Sequence, residues 1–260
     1  MTDLPDPNDM LVSAQNNLLF FLKTLYLHFS PDWEQNFLPP IDETSEQRIK
    51  RQIKEKESFL QSGLVILFNS AEIYIKSLIA SENVFFLLKD IKDASRSKSF
   101  FDCQTIDAVD LNLIYEGISS KKIPDTFKET YEYLRKERNK VIHLGKSNNI
   151  EITNYFIKSF IVLSKEIYKK PLIDMTHILF DSKNLSSEEI ESSKKNYALA
   201  IIEIFKEFFP INKIIKEIYK LDNEPRRWDR CIKCNIPDTT LAVISNKTSL
   251  CLACGFSNGV

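Results

Sequence analysis

Glycine is scarce in this chain: five in 260 residues, too few to supply the left-handed turns that a protein of many short strands needs. Apolar residues recur at three- and four-residue spacing and do not alternate, so the expected class is mainly α-helical. Long apolar runs are missing too. Stretches such as Leu18 to Leu22 and Leu64 to Phe68 are far too short to span a bilayer. The first residues are acidic, with no cationic segment ahead of an apolar one, which argues against a secretory leader and leaves a cytoplasmic location with no membrane as the expectation. Neither an internal repeat nor a low-complexity segment interrupts the pattern.

What is present is an ordinary globular composition, 43% hydrophobic, enough for a good core with room for a small extra module. A formal net charge of -1 conceals an uneven distribution. Residues 1–43 hold seven acids against Lys23, whereas residues 121–146 hold eight Lys/Arg against four acids. Residues 226–260 hold Arg226, Arg227, Arg230, Lys233 and Lys247 against Asp229 and Asp238. Two locally positive regions on a near-neutral protein suit nucleic acid, or are solvated helix faces.

Taken in order, the chain predicts a helix over about 8–28, a Pro-broken linker in which Trp33, Phe37 and Leu38 pack on the body, and a long helix over 45–81. A Thr44/Gln47 capping box opens that long helix. A shorter helical piece is expected over 82–91, then a polar loop through Ser99, and a helix capped by Thr105 and ending near Gly117. Helices are then expected over 125–144 and 151–169. A second capping box, Ser186 with Glu189, starts one running to about Phe209, and Pro210 separates it from a last one ending near Leu221.

The helix over 125–144 carries the most distinctive stretch, Arg138-Asn139-Lys140-Val141-Ile142-His143. Its apolar stripe reads Phe127, Tyr131, Leu134, Arg138, Val141, which puts the arginine in a core-facing slot. A semi-buried guanidinium needs an acid or an anionic ligand. Glu72, in the inward row Val65, Phe68, Glu72, Ile75, Ile79, is the expected partner. Asn139 and His143 share a face, while Arg138 lies about 140° round from His143. The two end groups converge if the long arginine reaches across the helix end, or if two copies meet. Gly145 is the expected C-cap, and the helix dipole there favours a protonated His143.

The tail reads Cys231-x2-Cys234, sixteen residues, then Cys251-x2-Cys254-Gly255. Two such pairs supply four thiolates for a tetrahedral, structural Zn2+, with no open position for catalysis. Gly255 suits the turn after the second pair, and strands are expected over 239–245 and 249–252. Cys103 is expected to be an ordinary thiol.

Arg138-Asn139-x3-His143, with the helix containing Glu72 ahead of it, resembles the HEPN superfamily, whose signature is R-x(4 to 6)-H with a polar residue often beside the arginine. The resemblance covers about 45–170. It implies an antiparallel helical bundle there, and the additional helices and small β zinc ribbon read above follow it. The divisions are 1–43 (N-terminal helix and linker), 44–170 (HEPN-like domain), 171–225 (additional helices) and 226–260 (ribbon). It further implies a metal-independent endoribonuclease acting as a homodimer, with RNA as substrate, 2′,3′-cyclic phosphate products and a toxin or anti-phage role. An antitoxin or defence-system partner would go with that role. Arg138 and His143 would be catalytic, Asn139 orienting and Glu72 supporting. HEPN toxins silenced by nucleotidylation carry a tyrosine two residues after the histidine; Gly145 stands there, so that control is not implied. The alternative is a non-catalytic module that binds RNA, a nucleotide or a partner protein.

Overall fold

The computed structural model describes residues 2–29, 44, 47, 51, 54–90, 92, 99–144, 149–236 and 239–259. Among these it holds eight α-helices and a four-stranded antiparallel sheet. The helices are α1 (Pro7–Phe29), α2 (Glu57–Asn83), α3 (Leu111–Ile118), α4 (Asp125–Leu144), α5 (Asn149–Leu163), α6 (Leu172–Met175), α7 (Ser187–Phe208) and α8 (Ile211–Ile218). The strands are β1 (Arg227–Arg230), β2 (Thr239–Val243), β3 (Ser249–Cys251) and β4 (Ser257–Asn258), ordered β1-β2-β3-β4. The mainly α expectation with a small β tail holds at this level. Trp33, Phe37, Leu38 and Gly145 lie outside the described residues.

Local chemistry explains most of the boundaries. The Asp6 carboxylate accepts from the N–H groups of Asn8 and Asp9 at 2.7 and 3.2 Å, and Pro7 follows as first helical residue, so α1 has a cap and a starter with preset φ. Both capping boxes form: Gln47 N–H donates to Thr44 Oγ1 at 3.3 Å while Thr44 N–H donates to Gln47 Oε1, and Ser186 with Glu189 exchange the same pair of bonds. Thr105 is not a cap. It pairs with Leu88 in an isolated antiparallel bridge, and α3 starts only at Leu111. The piece expected over 82–91 is one continuous helix to Asn83 followed by a 3-10 turn, because the Asn83 side chain accepts from Phe85 N–H and ends the α pattern. After α5 the helix widens into a π turn over Ser164–Tyr168, so the helical path ends one residue short of the expected 169.

The chain divides into two compact units, residues 1–18, 61–147 and 162–168, and residues 19–60, 148–161 and 169–260. In the first, Leu64, Leu67, Phe68, Ala71, Ile75 and Ile79 of α2 are buried. Phe68 meets Tyr131 at 5.6 Å between ring centroids and Tyr74 meets Phe127 at 5.5 Å. Rising numbers on α2 meet falling numbers on α4, so the two run antiparallel. The stretch Glu57–Leu87 is long and apolar enough to cross a membrane by length and composition, which no short run in the sequence suggested; here its apolar face is packed inside protein.

The second unit has a phenylalanine core: Phe21 lies 4.8 Å from Phe156 and 5.2 Å from Phe160. Ile211, Ile214, Ile215 and Ile218 line the buried side of α8 at helical spacing. Trp228 Nε1 donates to Asn212 Oδ1 at 3.1 Å, which ties β1 to that helix.

Candidate functional site

Two places collect the chemistry-bearing residues. The first is the sheet. Cys231 follows β1 and Cys251 ends β3, so each Cys-x2-Cys pair forms a turn beyond a strand. The two turns share one construction. Asn235 N–H donates to Cys231 O at 3.0 Å and Gly255 N–H donates to Cys251 O at 3.0 Å, with Asn235 at φ 53° and Gly255 at φ 69°. Such left-handed positions favour Gly and Asn. Strands β2 and β3 fall within the expected 239–245 and 249–252; β1 and β4 were not expected.

The four sulfurs lie within 4.8 Å of one another. Cys231 Sγ is 3.8 Å from Cys254 Sγ, and Cys234 Sγ is 3.9 Å from Cys251 Sγ. A tetrahedron with metal–sulfur bonds of about 2.3 Å has edges of about 3.8 Å. The donor set therefore fits a metal ion. Burial pushes the Cys251 thiol up to about 11 and also raises Cys254. Burial acts upward on Cys231 as well, but hydrogen bonds from the N–H groups of Cys234 and Lys233 and from the thiols of Cys251 and Cys234 together outweigh it and lower that thiol. Mutual repulsion opposes four thiolates at this spacing, and a coordinated cation reverses that sign.

The second place is the end of α4. Phe127, Thr130, Tyr131, Leu134 and Glu137 are buried, and Arg138 is half-buried. The strongly buried acid is thus Glu137, the residue just before the arginine and only 3% exposed. The stripe alone does not single it out, because 137 and 138 lie three and four residues after Leu134 and both fit the apolar face. Lys140 Nζ sits 2.5 Å from Glu137 Oε1, while Oε2 is buried without a hydrogen-bond partner.

Arg138 lays its guanidinium carbon 5.4 Å from the Phe68 ring centroid and donates from Nη1 to Asn139 Oδ1 at 3.0 Å. Its Nε is buried and unpartnered. The expected ion pair with Glu72 does not form; Glu72 takes Lys76 Nζ at 2.5 Å. The antiparallel register is the reason. Phe68 already faces both Tyr131 and Arg138, so Glu72, one turn further along α2, is displaced toward the start of α4. Its charge falls on Tyr131, whose hydroxyl is raised first by burial and then by Glu72. His143 is exposed in the last turn of α4. Among the described residues no hydrogen bond links it to Arg138 or Asn139.

Compared with known proteins, the chain matches no family model, no curated protein and no solved structure. Function therefore rests on the geometry of these two places.

Proposed function

We propose that the chain is a metal-independent endoribonuclease acting as a homodimer, of the HEPN kind, and that the cysteine cluster holds a structural zinc ion. One observation carries the reading: a half-buried arginine with an unpartnered Nε, laid on an aromatic ring and oriented by an asparagine, five residues before an exposed histidine at a helix end. An unsatisfied buried cation is costly unless an anion completes it, and a phosphodiester is such an anion.

In the reaction, His143 takes the proton of a ribose 2′-OH; the 2′-oxygen attacks phosphorus, and the P–O5′ bond breaks. The leaving 5′-oxygen takes up a proton from water, and a 2′,3′-cyclic phosphate remains. Arg138 neutralises the extra charge that builds on the phosphoryl oxygens. Because Arg138 and His143 diverge on one helix, the second copy supplies the matching group, which makes the homodimer part of the proposal. Asn139 orients the arginine. Glu72 acts at one remove, holding Lys76 and the face of α2 beside Tyr131.

All four cysteines are spent as ligands, so the zinc takes no part in cleavage. RNA degradation by such an enzyme suits a cytoplasmic toxin or anti-phage effector restrained by an antitoxin or defence partner. The exposure of His143 away from Arg138 favours one other reading, a non-catalytic module that binds RNA, a nucleotide or a partner protein. Incubating the purified chain with RNA in EDTA, beside His143→Ala, separates them. Cleavage that survives EDTA and vanishes in the variant is expected; a well-folded wild type that cuts no RNA excludes the enzyme.

A further inference from the structure

The two cysteine turns are built alike but dressed differently. The second is turned inward: Ala253 is buried, and its carbonyl accepts from Ile173 N–H at 3.0 Å. The first turns outward, with Ile232 88% exposed and Lys233 exposed beside it. A large aliphatic side chain held out on a four-residue turn adds nothing to the core. Beside it lie exposed cations, Arg230 at the end of β1 and Lys233 on the turn, and Arg226 is exposed ahead of the strand's other end. Among the described residues none of the three forms an ion pair, whereas Arg227 is matched by Asp229 at 3.0 Å. Neutral groups hold two of them in place: Arg230 Nη2 donates to Asn235 Oδ1 at 2.5 Å, and Lys233 Nζ sits 5.6 Å from the Phe256 ring centroid.

We propose that this first turn and the strand leading into it are a docking surface for single-stranded RNA. Arg226, Arg230 and Lys233 take backbone phosphates, while Ile232 and the exposed part of Phe256 take the faces of unstacked bases. Charge complementarity selects a polyanion. The apolar contacts select one whose base faces are free, which a duplex does not offer. The choice of RNA over DNA rests on the ribonuclease reading of α4; the surface itself does not.

The test uses the full zinc-loaded chain and a short fluorescein-labelled oligomer with 2′-O-methyl sugars, which cannot be cleaved through the 2′-OH, so binding is read independently of catalysis. Anisotropy titrations over a range of salt are expected to show affinity falling as salt rises. Arg230→Gln combined with Lys233→Gln removes two phosphate contacts and should flatten the log–log salt slope by about 1.4, at about 0.7 per contact for a single strand. Ile232→Ala, at a position 88% exposed in the free chain, should weaken binding by up to about tenfold through lost apolar contact, with the slope unchanged. Unlabelled single-stranded RNA should displace the probe, and duplex RNA and polyglutamate should not. An unchanged slope in the double variant overturns the proposal, as does displacement by polyglutamate as readily as by RNA, which would mark the surface as a protein-binding one. Cleavage of RNA by a chain whose ribbon variants bind like wild type would remove this surface and leave the α4 reading intact.

Discussion

The cysteine cluster and the end of α4 are opposites in one respect. At the cluster a single chain brings every group to one point: two strand ends, two equivalent turns, four sulfurs within 4.8 Å. At α4 a single chain leaves its groups apart. Arg138 is half-buried on Phe68, His143 is exposed a turn and a half further on, and Glu137 Oε2 and Arg138 Nε are both buried without partners. A site that closes on itself needs only the right covalent spacing. One left open asks for something from outside, which in the proposed reading is substrate phosphate and a second copy.

The contrast is most sharply broken at the cysteine cluster. Cys251→Ser should abolish tight metal binding and unfold the sheet, since a structural zinc supplies about 10–16 kcal/mol in small domains of this kind. Elemental analysis of freshly purified reduced protein and hydrogen exchange at β2 and β3 amides check this. Full metal content in the variant would mean that the four sulfurs do not act together. Next in size come His143→Ala and Arg138→Ala, each expected to lower RNA cleavage by about 10²–10⁴-fold. Metal content should be untouched in both, as a gel assay with parallel zinc measurement would show.

A smaller effect is expected at the scaffold under the arginine. Tyr131→Phe removes the bond from its hydroxyl to Ala108 O at 2.7 Å. It should cost about 1 kcal/mol in urea unfolding, and a loss near zero would show that the bond is replaced by water. Least of all is expected from Glu72→Gln, which breaks a pair whose side chains are 21% and 22% exposed. About 0.5 kcal/mol is the usual scale for such a helix pair, with cleavage nearly unchanged. A large loss of cleavage would place Glu72 closer to the reaction than its contact with Lys76 suggests.

How much of this the sequence disclosed depended on whether the information was local. The cysteine spacing, both capping boxes and the span 125–144 are local chemistry, and the structure reproduces them. The partner of Arg138 is not local. A helical wheel places Arg138 and Glu72 each on an inward face, but only the antiparallel register of α2 against α4 decides that Phe68, not Glu72, lies under the guanidinium. Glu137 is hidden for a related reason: positions three and four after Leu134 both fit the stripe, and only packing decides which of the two is the more buried. Strand β1, Arg227-Trp228-Asp229-Arg230, lacks the alternation that marks a strand, since its place comes from pairing with β2 and from Trp228 reaching Asn212. Strand β4 is two residues long and carries too little pattern to read.

The claim that the α4 site is completed by a second copy is tested most directly by mixing two inactive chains, Arg138→Ala and His143→Ala, after partial unfolding and refolding together. A dimer that contains one of each keeps one intact arginine facing one intact histidine across the two-fold. RNA cleavage, lowered by about 10²–10⁴-fold in either variant alone, should return in the mixture. A mixture as inactive as its components, or a wild type that cleaves as a monomer, would contradict it.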